Sequence, residues 1–223
     1  MNRIQTSETA RLGAILAIAG GFMDAYSYLC RGKVFANAQT GNMLLLGVNL
    51  FGGDWAAAAR YGAPIVAFSL GIVLAEGMRG RNSRQNGKSL LHWRQASLLL
   101  EILFLVVTCL IPQRLNLLAN SLTSLACGIQ VESFRKIRGN GIATTMCIGN
   151  LRSGTENLCR FSRCRDRVFL RRALLYYGII VCFILGAVLG NWMIGLLAER
   201  ALLVCAGILL LAFLLMFAEK RQE

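Results

Sequence analysis

Two carboxylates sit where an apolar chain should not carry charge. Asp24 lies deep in the run from Leu12 to Leu29, and Glu132 closes the run from Leu115 to Val131. An ionisable group within a membrane span costs at least about 2.5–3.5 kcal/mol and normally faces a partner or a wet cavity. Such an acid can take up a proton or bind a cation, and so couple an ion to the movement of a solute. The plainer account puts both acids near helix ends, paired with neighbours such as Arg31 or Arg135. Asp24 lies deeper in its run than Glu132 and is the stronger candidate. Glu101, close to the interface end of the run from Ser97 to Ile111, has reach enough to snorkel and ranks below it.

Thr40-Gly41-Asn42 interrupts another apolar stretch. The run from Met43 to Leu50 reads as a half-helix, with Thr40 or Asn42 as its N-cap and Gly41 permitting a sharp turn. Gly149-Asn150 offers a second break. Two such segments entering from opposite faces bring two partially positive helix N-termini together near the midplane, a geometry that can hold an anion or a polar solute. Gln39 adds a hydrogen-bonding amide; Asn37 and Gln130 are of the same kind, although amides in membranes often only tie helices together. Alternatively, Gly41 and Asn42 simply break and cap a buried hairpin. The candidate solute-binding set is Asp24, Gln39, Thr40, Gly41, Asn42, Glu132, Gly149 and Asn150.

The elements that must position these residues are membrane helices. Of 223 residues, 56% are hydrophobic and 16% charged, which is too apolar for a soluble globule. Apolar runs extend over Leu12–Leu29, Ala56–Ala75, Ser97–Ile111, Ala173–Ile194 and Ala201–Ala218, with a more polar sixth over Leu115–Val131. Each approaches the roughly 20 residues that cross a hydrocarbon core. No alternating pattern of a barrel appears, so helices remain. The first run continues into further spans and has no small-residue cleavage site after it, so it reads as a retained helix. The expected fold is all-α, a polytopic integral membrane protein of about six transmembrane helices forming a single membrane domain over 1–223. Val34–Trp55 and Gly141–Leu158 are left over and read as re-entrant segments.

A weak internal repeat organises these spans. At an offset of 108, Gly20, Gly41, Asn42, Asn49 and Leu50 match Gly128, Gly149, Asn150, Asn157 and Leu158, while Asp24 meets Glu132 and Tyr26 meets Phe134. Phe68 to Leu74 matches Phe183 to Leu189 at 115. The halves, 1–112 and 113–223, run in opposite orientations by the charge rule, which predicts a 3+3 inverted repeat. Gly71, Gly186 and Gly190 read as helix-packing positions.

The formal net charge of +13 fits topology better than nucleic acid. Lys and Arg gather in Arg79–Arg94, in Arg135–Arg172 and at Lys220 and Arg221, which marks a cytoplasmic face, places both termini there and suits contact with anionic lipid of the bilayer. The arginine run from Arg160 to Arg172 lacks the aromatic interleaving of a nucleic-acid site. The eight cysteines are scattered, mostly inside apolar spans, Cys159 and Cys164 read as reduced cytosolic thiols, and His92, the only histidine, reads as a solvated loop residue. Nothing calls for a metal or other cofactor. A homo-oligomer is left open.

Gly20-Gly21-Phe22-Met23-Asp24-Ala25, Gln39-Thr40-Gly41-Asn42-Met43 and Gly149-Asn150-Leu151 together resemble the bacterial YoaK family of uncharacterised membrane proteins, over nearly the whole chain. The resemblance implies an inner-membrane protein of about six spans and supplies no activity. In that family the second half usually carries its own Thr-Gly-Asn, whereas here Ile148 replaces the threonine.

The leading expectation is a secondary transporter or channel for a small polar or charged solute. A membrane scaffold or partner subunit is the alternative. An intramembrane enzyme ranks last, because no nucleophile or phosphate-binding motif accompanies the acids.

Overall fold

The structure, a computed structural model, describes residues 9–84 and 92–218. Eight α-helices hold most of them: α1 (Ala10–Cys30), α2 (Gln39–Phe51), α3 (Trp55–Arg84), α4 (Trp93–Cys109), α5 (Asn116–Ser133), α6 (Cys147–Cys164), α7 (Arg167–Leu197) and α8 (Leu202–Ala218). Among the described residues the only strands are the two-residue arms of a hairpin, β1 (Lys136–Ile137) and β2 (Asn140–Gly141). Arg138 and Gly139 join them with positive φ at both positions, as a two-residue turn between twisted strands requires. The all-α expectation holds.

The burial pattern is inverted relative to a soluble protein. Val66, Leu70 and Val73 of α3, Val181, Ile184 and Val188 of α7, and Leu203, Leu210 and Leu214 of α8 are exposed, whereas Arg31, Asn37, Gln95, Glu101, Asn120 and Gln130 are buried. So broad an apolar surface suits lipid as the solvent.

Length and apolarity single out three stretches able to cross a membrane: Ala10–Cys30, Trp55–Asn82 and Arg167–Phe217, the last taking in α7, a 3-10 turn (Ala198–Ala201) and α8. The six expected spans all fall on helices, but the count of six crossings does not follow from them. With 17 residues α4 reaches only about 26 Å, and α5 turns Asn120, Thr123, Ser124 and Gln130 inward.

Two close crossings organise the bundle. Where α1 meets α7, a Cβ on Gly21 would collide with the carbonyl of Phe183, and one on Gly186 with the carbonyl of Ile18. Where α3 meets α5, a Cβ on Gly128 would collide with the carbonyl of Phe68, and one on Gly71 with that of Leu125. Small residues let these backbones touch. α4 and α8 close the side of the bundle, packing on each other and on α5 and α1.

The bundle has two distinct ends. At one, the buried Arg31 guanidinium donates to the Tyr26 hydroxyl (2.8 Å), to the carbonyls of Ile111 (2.9 Å) and Thr108 (3.2 Å), and to Asn116 Oδ1 (3.2 Å). Tyr26 in turn donates to the carbonyl of Glu199 (3.0 Å), so one arginine ties α1, α4, α5 and the turn before α8. At the other end Arg79 of α3 reaches Glu132 of α5 at 3.6 Å, and Arg94 of α4 donates to the carbonyl of Ser133. His92 is not a solvated loop residue: its Nδ1 accepts from the Arg94 N–H and it caps α4 with Gln95. Lys88, Lys220 and Arg221 lie outside the described residues.

Candidate functional site

Past Cys30 the chain turns at Gly32 and Lys33, both at positive φ, and runs extended back along α1, burying Val34, Ala36 and Asn37. Asn37 fixes how far it returns. Its side-chain amide donates to the carbonyl of Gly20 (3.0 Å), and its backbone N–H donates to Asp24 Oδ1 (2.7 Å). At Gln39, α2 begins and runs back to the Arg31 end, where Phe51 is 98% exposed. Its 13 residues span about 20 Å, too short to cross a hydrocarbon core.

A second extended limb comes from the Arg79 end. Residues 142–146 follow the hairpin inward, and Thr144 Oγ1 accepts from the Gln130 side-chain amide (3.1 Å), which also donates to the carbonyl of Leu16 (3.0 Å). A Cβ on Gly20 would stand 3.0 Å from the Thr144 carbonyl oxygen and 3.3 Å from the Thr145 Cα. Both limbs therefore end on the same turn of α1, midway along it. From there α6 starts at Cys147 and returns to the Arg79 end alongside α7.

Each limb is locked by an asparagine. Asn42 accepts from the N–H of Phe35 (3.0 Å) and donates to its carbonyl (2.7 Å); Asn150 accepts from the N–H of Ala143 (3.3 Å) and donates to its carbonyl (2.6 Å). These are strand-like bonds made by a side chain seven residues ahead. Neither Thr40 nor Asn42 is the expected N-cap: the cap is Ala38, without a side-chain bond, Thr40 is exposed, and Asn42 bonds the incoming limb instead. Gly41 serves packing rather than a turn, since a Cβ there would press the Phe35 ring at 2.9 Å. Gly149 is exposed, with no atom near the position of a Cβ.

Asp24 lies at the start of α2, with the backbone amides of Ala36, Asn37 and Ala38 around its carboxylate. The protein's own acid thus sits beside the limb that leads into one of the two helix starts that the sequence suggested for an anion. Its expected partner Arg31 is committed elsewhere. Gln39 ties the turn, donating to the carbonyl of Ala36 (2.7 Å) and accepting from Asn42 (2.8 Å).

Glu132 has different surroundings from Asp24. It lies beyond the apolar stretch of α5, beside Arg135 (3.3 Å) and Arg79. Burial and the neighbouring Glu76 raise its pKa, against the pull of both arginines. With Arg135, Asn150, Gly149, Ser153, Met146, Phe68 and Ile72 it lines an open cavity of about 460 Å³ between α3, α5, α6 and the second limb. Of the candidate residues, Asp24, Gln39 and Asn42 meet at the start of α2, and Glu132, Gly149 and Asn150 meet at this cavity.

Residues 12–215 match a family described as a protein of unknown function, DUF1275. The chain belongs to that family. A relative, the UPF0700 transmembrane protein YoaK of Bacillus subtilis (strain 168), is 26% identical over 184 residues, covering 79% of this chain and 80% of the relative. The YoaK resemblance read from the glycine and asparagine motifs is thereby established, as is a membrane location. No solved structure matches the chain. In this DUF1275 protein the residues that the sequence left least conspicuous are Thr144, Thr145 and Arg31. Paired threonines in the left-over segment Gly141–Leu158 were the available signal for the first two, and Arg31 looked like an ordinary flanking charge.

Proposed function

We propose that the protein is a secondary transporter or channel for a small polar or charged solute, with its pathway passing the turn of α1 around Gly20 and Asp24. The observation that carries this reading is the meeting of the two extended limbs on that turn. Irregular backbone at membrane depth is tolerated where it is buried in protein or lines a wet cavity, and half-helices starting at the midplane are a recurring way to build a solute site. On this reading Val34–Trp55 and Gly141–Leu158 are re-entrant, and the cavity beside Glu132 and Asn150 is a vestibule on one side.

The paired contacts support a duplicated, inverted architecture. The asparagine clasps at Phe35/Asn42 and Ala143/Asn150 repeat at the offset of 108, and Phe68/Gly71 and Phe183/Gly186 repeat at 115. Along α1 and α5 the equivalent glycines are Gly21 and Gly128, one residue away from the Gly20 match. A duplicated unit whose third helix packs on the first helix of its twin gives both crossings at once. The Arg79 end then faces the cytoplasm of a bacterial inner membrane, since Arg135, Lys136, Arg138, Arg160 and Arg163 gather near it. Anionic lipid headgroups are the partners of that face. The acids serve binding and coupling rather than catalysis.

Flux into proteoliposomes, guided by a thermal-shift screen for stabilising solutes, tests the reading. A solute that stabilises and enters wild-type vesicles, but neither stabilises nor enters with a folded Asp24→Asn variant, is the expected result. If Asp24→Asn only lowers protein abundance, with no solute bound by either protein, the scaffold reading replaces this one.

A further inference from the structure

We propose that Glu101 is a buried proton-binding site. On the transport reading, on which its role rests, this makes the proton the coupling ion. Glu101 does not snorkel to an interface. It sits within α4 at 0% exposure, and neither carboxyl oxygen has a hydrogen-bond partner. Leu98 and Leu105, both fully buried, lie on the same helix face one turn to either side.

The groups facing it are few. α5 brings the thiol of Cys127 and α8 that of Cys205, each within electrostatic reach of Glu101. From α3, Glu76 and Arg79 belong to the Glu132 cluster at one end, and from the turn before α8, Glu199 and Arg200 lie at the other. Among the described residues no Lys or Arg pairs with Glu101. A carboxylate stripped of water and of every donor is too costly to keep ionised, so in this position it holds a proton. A metal ion would need several donor side chains together, and no group of three or more His, Cys, Asp or Glu is so placed among the described residues.

Toward α1, the Cys127 thiol donates to Met23 Sδ at 3.7 Å, and the side-chain oxygen of Asn37 is buried without a partner. An unpaired acid at such depth is a functional position by default.

Infrared spectroscopy of the full-length protein in lipid vesicles, in H2O and D2O, tests this without any solute. Expected is a protonated-carboxyl band at neutral pH that is lost in Glu101→Gln and moves on D2O exchange. Should Glu101→Gln fold poorly, Glu101→Asp keeps the carboxyl and displaces the band instead of abolishing it. A wild-type carboxyl band that survives intact in folded Glu101→Gln overturns the proposal, and so does one that never exchanges with D2O. An exchanging Glu101 in a protein that moves no solute overturns the transport reading and leaves the proton site standing.

Discussion

At the scale of single residues, most of the order in this molecule comes from polar side chains that close irregular backbone in a place without water. Asn42 and Asn150 satisfy the N–H and carbonyl of Phe35 and Ala143, groups that a limb buried within the protein cannot leave open. Replacing either by Ala should cost about 1–3 kcal/mol for each buried group left unpaired. Asn42→Asp keeps the acceptor, loses the donor and should fall between. Asn49→Ala and Asn157→Ala, whose amides only donate to the carbonyl one turn back, should stay within about 0.5 kcal/mol of wild type. Thermal unfolding in detergent separates these classes; equal losses at all four positions would refute the clasp. Arg31 supports a second test. Its guanidinium serves four acceptors in fixed directions, a geometry an ammonium cannot copy, so Arg31→Lys should lower the unfolding midpoint markedly despite the conserved charge. The sequence made Asn42 and Asn150 visible as a pair but not their task. A cap is a local feature, whereas a bond reaching back seven residues depends on a chain reversal that local patterning does not encode.

At the scale of elements, the helices that face lipid were legible because apolar length is a direct consequence of bilayer thickness. The shorter elements were not. α2 was recognisable as a half-helix from its break at Thr40-Gly41-Asn42, yet its starting depth is set by the Asn37 contact to Gly20, which no periodicity announces. α6 carries Arg152, Glu156, Arg160 and Arg163, so its polarity hid a helix of 18 residues that starts mid-bundle. Helix pairing was legible in part: Gly71 and Gly186 were marked as packing positions, and each does lie under a neighbouring carbonyl, but Gly21 and Gly128 on the facing helices stood out only through the motif and the repeat, not as packing positions. Gly71→Ala and Gly186→Ala should each force a crossing apart and cost about 1–3 kcal/mol by overpacking. Gly207→Ala in α8, with open space around it, should be neutral or slightly stabilising, because alanine is the better helix former. Loss of the monodisperse folded species in the first two variants, with the third unchanged, is the result expected from size-exclusion chromatography.

At the scale of the whole molecule, the two limbs define which ends of the chain must lie on which side. The α2 limb enters and leaves at the Arg31 end, so the loop at Gly52 belongs to the same side as Arg31. The α6 limb enters and leaves at the Arg79 end, which puts the exposed Cys159 and Cys164 on the opposite side. Two short half-helices meeting inside the bundle thus require opposite accessibility for two segments that are each followed by a long helix. A layout in which α2 and α6 both lie flat on one surface would give them the same accessibility. The distinguishing measurement is labelling with a membrane-impermeant thiol reagent in oriented vesicles. In a background retaining only Cys159 and Cys164, both should react from the cytoplasmic side. In a background carrying only Gly52→Cys, reaction should come from the other side. Gly52 has an ordinary helical backbone conformation and nothing closer than 3.6 Å to an added Cβ, so the substitution leaves the turn intact. Labelling of Gly52→Cys from the cytoplasmic side would place α2 and α6 on one face and remove the basis for a pathway between them.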